Sequence, residues 1–95
     1  MLSREEVVSA VSTLETYLFR NGKTSLVGDV ECSAADISGS SIRIERTYRD
    51  GKSPGSLDIY EDNNRIAWIA LEDTGRILGW GGNPEVLIKV SGMVG

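Results

Sequence analysis

Apolar residues recur every three or four positions from Val7 to Leu18, then at every second position from Leu26, and that change of period divides the chain. Val7, Val11, Leu14 and Leu18 step by four, three and four, which lays them on one helical stripe broadened by Ala10 and Tyr17. Ser3 and Glu6 form a capping box, with Glu5 and Glu6 at the positive end of the helix dipole. Asn21-Gly22 is a stop signal, because either residue tolerates the left-handed conformation of a helix C-terminus. The pattern predicts a helix over residues 4–20.

Leu26, Gly28, Val30 and Cys32 then alternate with Val27, Asp29 and Glu31, as in a half-buried strand. The small and polar residues from Ser33 to Ser41 predict a loop around Ile37. Ile42, Ile44 and Tyr48 face one way in the next strand, with Arg43, Glu45, Thr47 and Arg49 opposite. Asp50-Gly51 to Pro54-Gly55 reads as a long turn.

Three short strands follow: Leu57–Tyr60, Ile66–Leu71 and Ile77–Trp80, separated by the turns Glu61-Asp62-Asn63-Asn64 and Glu72-Asp73-Thr74-Gly75. This is an antiparallel meander, and its middle strand is apolar on both faces, which predicts an interior position. The segment 84–92 carries two signals. Asn83-Pro84-Glu85 resembles a helix start, whereas Val86-Leu87-Ile88-Lys89-Val90 is β-rich and favours a strand.

The expected fold is α+β: one domain over residues 1–95, with an N-terminal amphipathic helix packed on a curled antiparallel sheet of about five or six strands. The helix stripe is expected to meet Ile42, Ile44 and Trp68. A composition of 40% hydrophobic and 25% charged residues fits a globular chain of this length, and the longest apolar run, Ile66 to Leu71, is too short to span a membrane. Met1 to Arg20 has neither a basic leader nor a continuous apolar segment, so a cytoplasmic location is expected.

Histidine is absent, which removes the commonest general base and zinc ligand along with every Ser-His or Cys-His pairing. The single cysteine, Cys32, cannot form an internal disulfide and is expected in the core. No phosphate-binding glycine motif or metal-ligand spacing occurs; the acidic turn at Glu61 lacks the length of a calcium loop, and a pair such as Asp58 and Glu72 has no inferable pocket. No cofactor and no catalytic residue is therefore predicted.

A net charge of −4 opposes binding to duplex nucleic acid. Its distribution is uneven: residues 43–52 hold four basic and two acidic side chains, while residues 1–42 and 53–95 each hold three basic and six acidic. Two constellations stand out. Trp80, set in Gly79-Trp80-Gly81-Gly82, is a candidate anchor for a protein partner, with Asp62, Asn63 and Asp73 as acidic-turn contacts. Arg46, falling on the face of Ile44 and Tyr48, is a candidate anion or ligand contact together with Tyr48 and Trp68.

In build the chain is similar to compact bacterial and phage binding proteins, among them toxin immunity proteins and inhibitors. The likeness is one of architecture and transfers no residue. The expected function is a non-enzymatic protein-binding module that blocks a basic site on a partner. The alternatives are a small-ligand domain using a concave sheet face and a homodimeric structural subunit.

Overall fold

The structure, a computed structural model, describes residues 2–49 and 54–94. It contains helix α1 (Arg4–Asn21), strands β1 (Lys23–Val27), β2 (Val30–Asp36), β3 (Ile42–Tyr48), β4 (Gly55–Glu61), β5 (Asn64–Leu71) and β6 (Ile77–Gly82), and helix α2 (Glu85–Val94). The strands form one antiparallel sheet in the order of the chain, β1-β2-β3-β4-β5-β6. Both helices lie on the same face of it, so the α+β expectation holds.

The local signals act as read for α1. The Ser3 hydroxyl accepts from the Glu6 N–H at 3.1 Å and the Glu6 carboxylate accepts from the Ser3 N–H at 3.0 Å. Val7, Ala10, Val11, Leu14 and Leu18 are buried. They meet Ile44, Leu57, Ile59, Ala67, Ile69 and Leu71 from the sheet, and Leu87 and Val90 from α2. Each large side chain enclosed there contributes about 1.5–3 kcal/mol of transfer free energy. The helix exit differs from expectation: Gly22 is extended (φ −75°, ψ 152°), and its N–H closes the helix by donating to the Leu18 carbonyl.

The sequence reading departs from the structure in four further places. The alternation over residues 24–32 is not one strand but a hairpin, β1 and β2, turning at Gly28-Asp29 with Gly28 at φ 62°. Glycine in the first of two turn positions gives the backbone twist that suits a tight hairpin. The predicted loop begins later, since Ser33–Asp36 continue β2 and only the Ile37–Ser41 connection, closed by the Ile37 N–H donating to the Ile42 carbonyl, is irregular. Residues 85–94 are helical, not a strand. The Asn83-Pro84 start prevails there because Leu87 and Val90 bury on α1 and β5, and that packing outweighs β-branched propensity. Trp68 lies on the face away from α1, while its neighbours Ala67 and Ile69 face the core. The long turn predicted at 50–55 lies outside the described residues except for Pro54 and Gly55.

Candidate binding face

With α1 and α2 on one side, no element among the described residues covers the other face of the sheet, and cross-strand pairing arranges its side chains in three rows. One row runs Lys23, Ala34, Glu45, Asp58, Trp68, Gly81. Beside it lies a row of small residues, Ser25, Cys32, Thr47, Ser56, Ala70, Gly79. On the other flank stand Asp36, Arg43, Tyr60 and Arg65. The result is a shallow trough of small side chains beside a ridge of carboxylates and aromatics.

Trp68 dominates the ridge. A Cβ on Gly81 would stand 2.8 Å from its indole Cε2, Cζ2 and Nε1, so only glycine there lets the ring lie flat on β6. Gly81 and Gly82, the two glycines that follow Trp80, thus seat the neighbouring strand's tryptophan. The Arg65 guanidinium lies 4.6 Å from the Trp68 ring centroid, and the Arg43 guanidinium 4.6 Å from that of Tyr60. Such cation–π contacts are worth about 0.5–1 kcal/mol at exposed sites.

Between these aromatic–arginine pairs, Glu45 and Asp58 stand directly opposite each other on β3 and β4. Glu45 is paired with Arg43, whose Nε donates to its Oε2 at 2.7 Å. Asp58 is only 6% exposed. Its Oδ2 accepts from the Ser56 hydroxyl at 2.8 Å, but among the described residues its buried Oδ1 has no hydrogen-bond donor. That oxygen is ion-paired with Arg65 Nη1 at 3.5 Å, too long for a strong hydrogen bond and on a side chain half open to solvent. A buried acceptor in this state carries an unrecovered desolvation cost of about 1–3 kcal/mol.

The thiol and the phenol beside the carboxylates are both shifted toward their neutral forms. Burial and then the charge of Glu45 push the Cys32 thiol above its ordinary range. Burial, then Asp58 and Glu45, do the same to the Tyr60 phenol. Neither is primed as a nucleophile or base near neutral pH. Cys32 sits half-buried on this open face, its Sγ 3.8 Å from Glu45 Oε1, and not in the core as expected. Among the described residues no three His, Cys, Asp or Glu side chains converge as a metal site would require.

The residues singled out from the sequence are dispersed. Trp80 pairs with Ile69 and so projects to the helix side of the outermost strand, where it is 36% exposed against 37% for Trp68. Asp62 and Asn63 form the β4–β5 turn, both with positive φ (51° and 68°), and Asn63 Oδ1 accepts from Arg43 Nη1 at 2.9 Å. Asp73 lies in the β5–β6 turn at the other end of the sheet, accepting from the Arg49 N–H at 3.3 Å. No single surface joins these turns to Trp80.

Arg46 and Tyr48 lie on the helix face, away from Trp68, so the three do not form a cup. Arg46 is almost wholly buried, donating from Nη1 to the Thr47 carbonyl and from Nη2 to the Glu72 carbonyl, each at 2.8 Å. Its Nε reaches Glu15 Oε2 at 3.4 Å and its guanidinium covers the Tyr48 ring at 4.2 Å. With its donors committed inside the chain, Arg46 is a clamp that ties β3, the β5–β6 turn and α1 together. The other carboxylate named from sequence, Glu72, pairs with Arg76 at 2.8 Å beyond the end of β5.

Sequence reasoning passed over Asp58, Glu45 and Arg65 as parts of one site, because only the strand pairing sets them side by side. Comparison with protein-family models, curated proteins and solved structures found nothing similar to this chain.

Proposed function

We propose that the protein is a non-enzymatic protein-binding module whose uncovered sheet face receives a basic segment of a partner. The observation that carries this reading is Asp58: a carboxylate 6% exposed, opposite a second carboxylate, with one oxygen that no hydrogen bond from the described residues reaches and only a long ion pair to the half-exposed Arg65. An incoming guanidinium or ammonium satisfies that oxygen once Arg65 swings aside, and the indole of Trp68 supplies the apolar and π surface against which it rests. Arg65 itself illustrates the fit, standing over the indole and beside the carboxylate at once. The net charge of −4 accelerates the approach of a basic partner more than it strengthens the final complex. Blocking a basic site, as an inhibitor or immunity protein does, asks for this kind of face and for no turnover.

The test is an NMR titration of the isotopically labelled chain with two peptides of equal length, one arginine-rich and one glutamate-rich. The arginine peptide is expected to shift the Trp68 indole signal and amides of β3, β4 and β5 in a saturable way, with Trp68→Ala and Asp58→Asn each weakening binding at least tenfold. Equal shifts from both peptides, or shifts confined to the helical side, overturn the proposal.

A further inference from the structure

The sheet has two edges, and they are built differently. The outer strand β6 is interrupted by a bulge opposite Ala70 and Leu71 and is rich in glycine. The outer strand β1 pairs with β2 without any irregularity, and all five of its residues are exposed. Edge strands are usually blunted by shortness, lysine, proline or a bulge; β1 has neither proline nor bulge, and its one lysine, Lys23, stands at its first position and leaves Thr24–Val27 without a charge. Helix α1 packs mainly over β2 and β3, and every residue of β1 stays exposed. Large apolar side chains cluster there: Phe19 is 91% exposed, and Leu26 and Val27 are mostly exposed.

The hairpin decides which backbone groups are free. In a two-residue turn the Val27 carbonyl accepts from the Val30 N–H, so that pair is hydrogen-bonded, and bonded pairs alternate along the ladder. Lys23, Ser25 and Val27 therefore direct their backbone groups toward β2, and Thr24 and Leu26 direct theirs outward.

We propose that β1 pairs antiparallel with β1 of a second copy of this chain, about a two-fold axis through Ser25, giving one sheet continuous through both copies. This register sets Thr24 opposite Leu26 of the second copy, the two residues whose backbone groups are free, so each pair exchanges both its hydrogen bonds. Thr24 and Phe19 line the same hollow, so the incoming Leu26 fills it and covers Phe19, once on each side of the axis. On the opposite face Val27 lies along the stem of Lys23. The charges select the direction: Arg20 and Lys23 stand at one end of the ribbon and Asp29 at the other. Antiparallel pairing brings Asp29 toward the two bases, and parallel pairing would set like charges together.

Sedimentation equilibrium of the full chain over micromolar to millimolar concentration tests this. The expected result is a monomer–dimer equilibrium above the 10.3 kDa monomer mass. Leu26→Lys and Thr24→Pro are expected to weaken the dimer at least tenfold while circular dichroism stays that of the native fold. The proline at 24 removes only an outward N–H, so β1–β2 pairing survives. Asp29→Lys is expected to weaken association, and adding Lys23→Glu in the same chain to restore much of it. A monomer at every concentration, or a dimer whose dissociation constant ignores Leu26→Lys, overturns the proposal. Because β1 is distant from Trp68, Leu26→Lys leaves the peptide titration unchanged, and the two proposals fail separately.

Discussion

Replacing Arg46 with alanine removes a cation that sits inside the protein and leaves its acceptors behind. The Thr47 and Glu72 carbonyls each lose a charge-assisted hydrogen bond of 2.8 Å. Each such bond is worth about 1.5–3 kcal/mol, and water re-enters poorly where the side chain was almost wholly buried. The Glu15 contact adds little, because at 3.4 Å and 30% side-chain exposure it is a partly screened pair. The combined loss from the two bonds is about 3–6 kcal/mol. A domain of this length has about 5–14 kcal/mol in total, so Arg46→Ala removes a large fraction of its stability. A loss of 3 kcal/mol corresponds to a Tm lower by about 12–24 °C. Thermal and urea unfolding of Arg46→Ala, Arg46→Lys and Glu15→Gln are expected to rank in that order of damage, since lysine keeps the charge but cannot serve both carbonyls. If Arg46→Ala stays within about 1 kcal/mol of the parent, or if Glu15→Gln is equally harmful, the assignment of Arg46 as a clamp between carbonyls is wrong.

Two further outcomes follow from the titrating groups. The Ser3 backbone and hydroxyl hold Glu6 below the ordinary carboxylate range, so its stabilisation of α1 is present above that range and lost as pH falls through the lowered value. Melts between pH 3 and 7 are therefore expected to show a steeper acid loss in the parent than in Glu6→Gln, and parallel profiles would count against the capping box. Alkylation of Cys32 by iodoacetamide is expected to be slower than for a free cysteine at pH 7.5. Glu45→Gln is expected to speed it by removing the adjacent charge, and an unchanged rate would count against Glu45 as a cause and leave burial with the charge of Asp58.

The legible parts of the fold rest on neighbours in sequence. The capping box, the α1 stripe and the turns at Asp62-Asn63 and Asp73-Thr74 need only residues within a few positions of one another. The hairpin at Gly28-Asp29 was hidden because both turn residues happen to continue the apolar–polar alternation of the strands around them. Ser33 to Asp36 looked like loop because a strand on a half-open face tolerates small polar side chains. Gly28-Asp29 was nevertheless a usable hairpin signal, since glycine followed by aspartate between β-rich segments suits a two-residue turn.

The binding face was less legible for a geometric reason. β5 is apolar on both sides, so its pattern cannot say whether Ala67 and Ile69 or Trp68 and Ala70 meet the helices. Likewise, Leu57-Asp58-Ile59 alternates as any solvent-facing strand would, yet Asp58 is enclosed because Glu45, Trp68 and Arg65 gather around it from adjacent strands.

By itself the sequence determined the secondary structure wherever period and turn chemistry act locally: one capped helix, an antiparallel meander, and a chemical repertoire without histidine. Tertiary structure alone decided the rest. Placing both helices on one side of the sheet made Arg46 an internal clamp, turned Trp68 outward onto Gly81 and drew residues 85–94 into a helix. The cross-strand register brought Glu45 and Asp58, thirteen residues apart in the chain, into direct opposition. Periodicity records how a segment divides its two faces, but which face is covered depends on what else packs there, and that is a property of the whole chain.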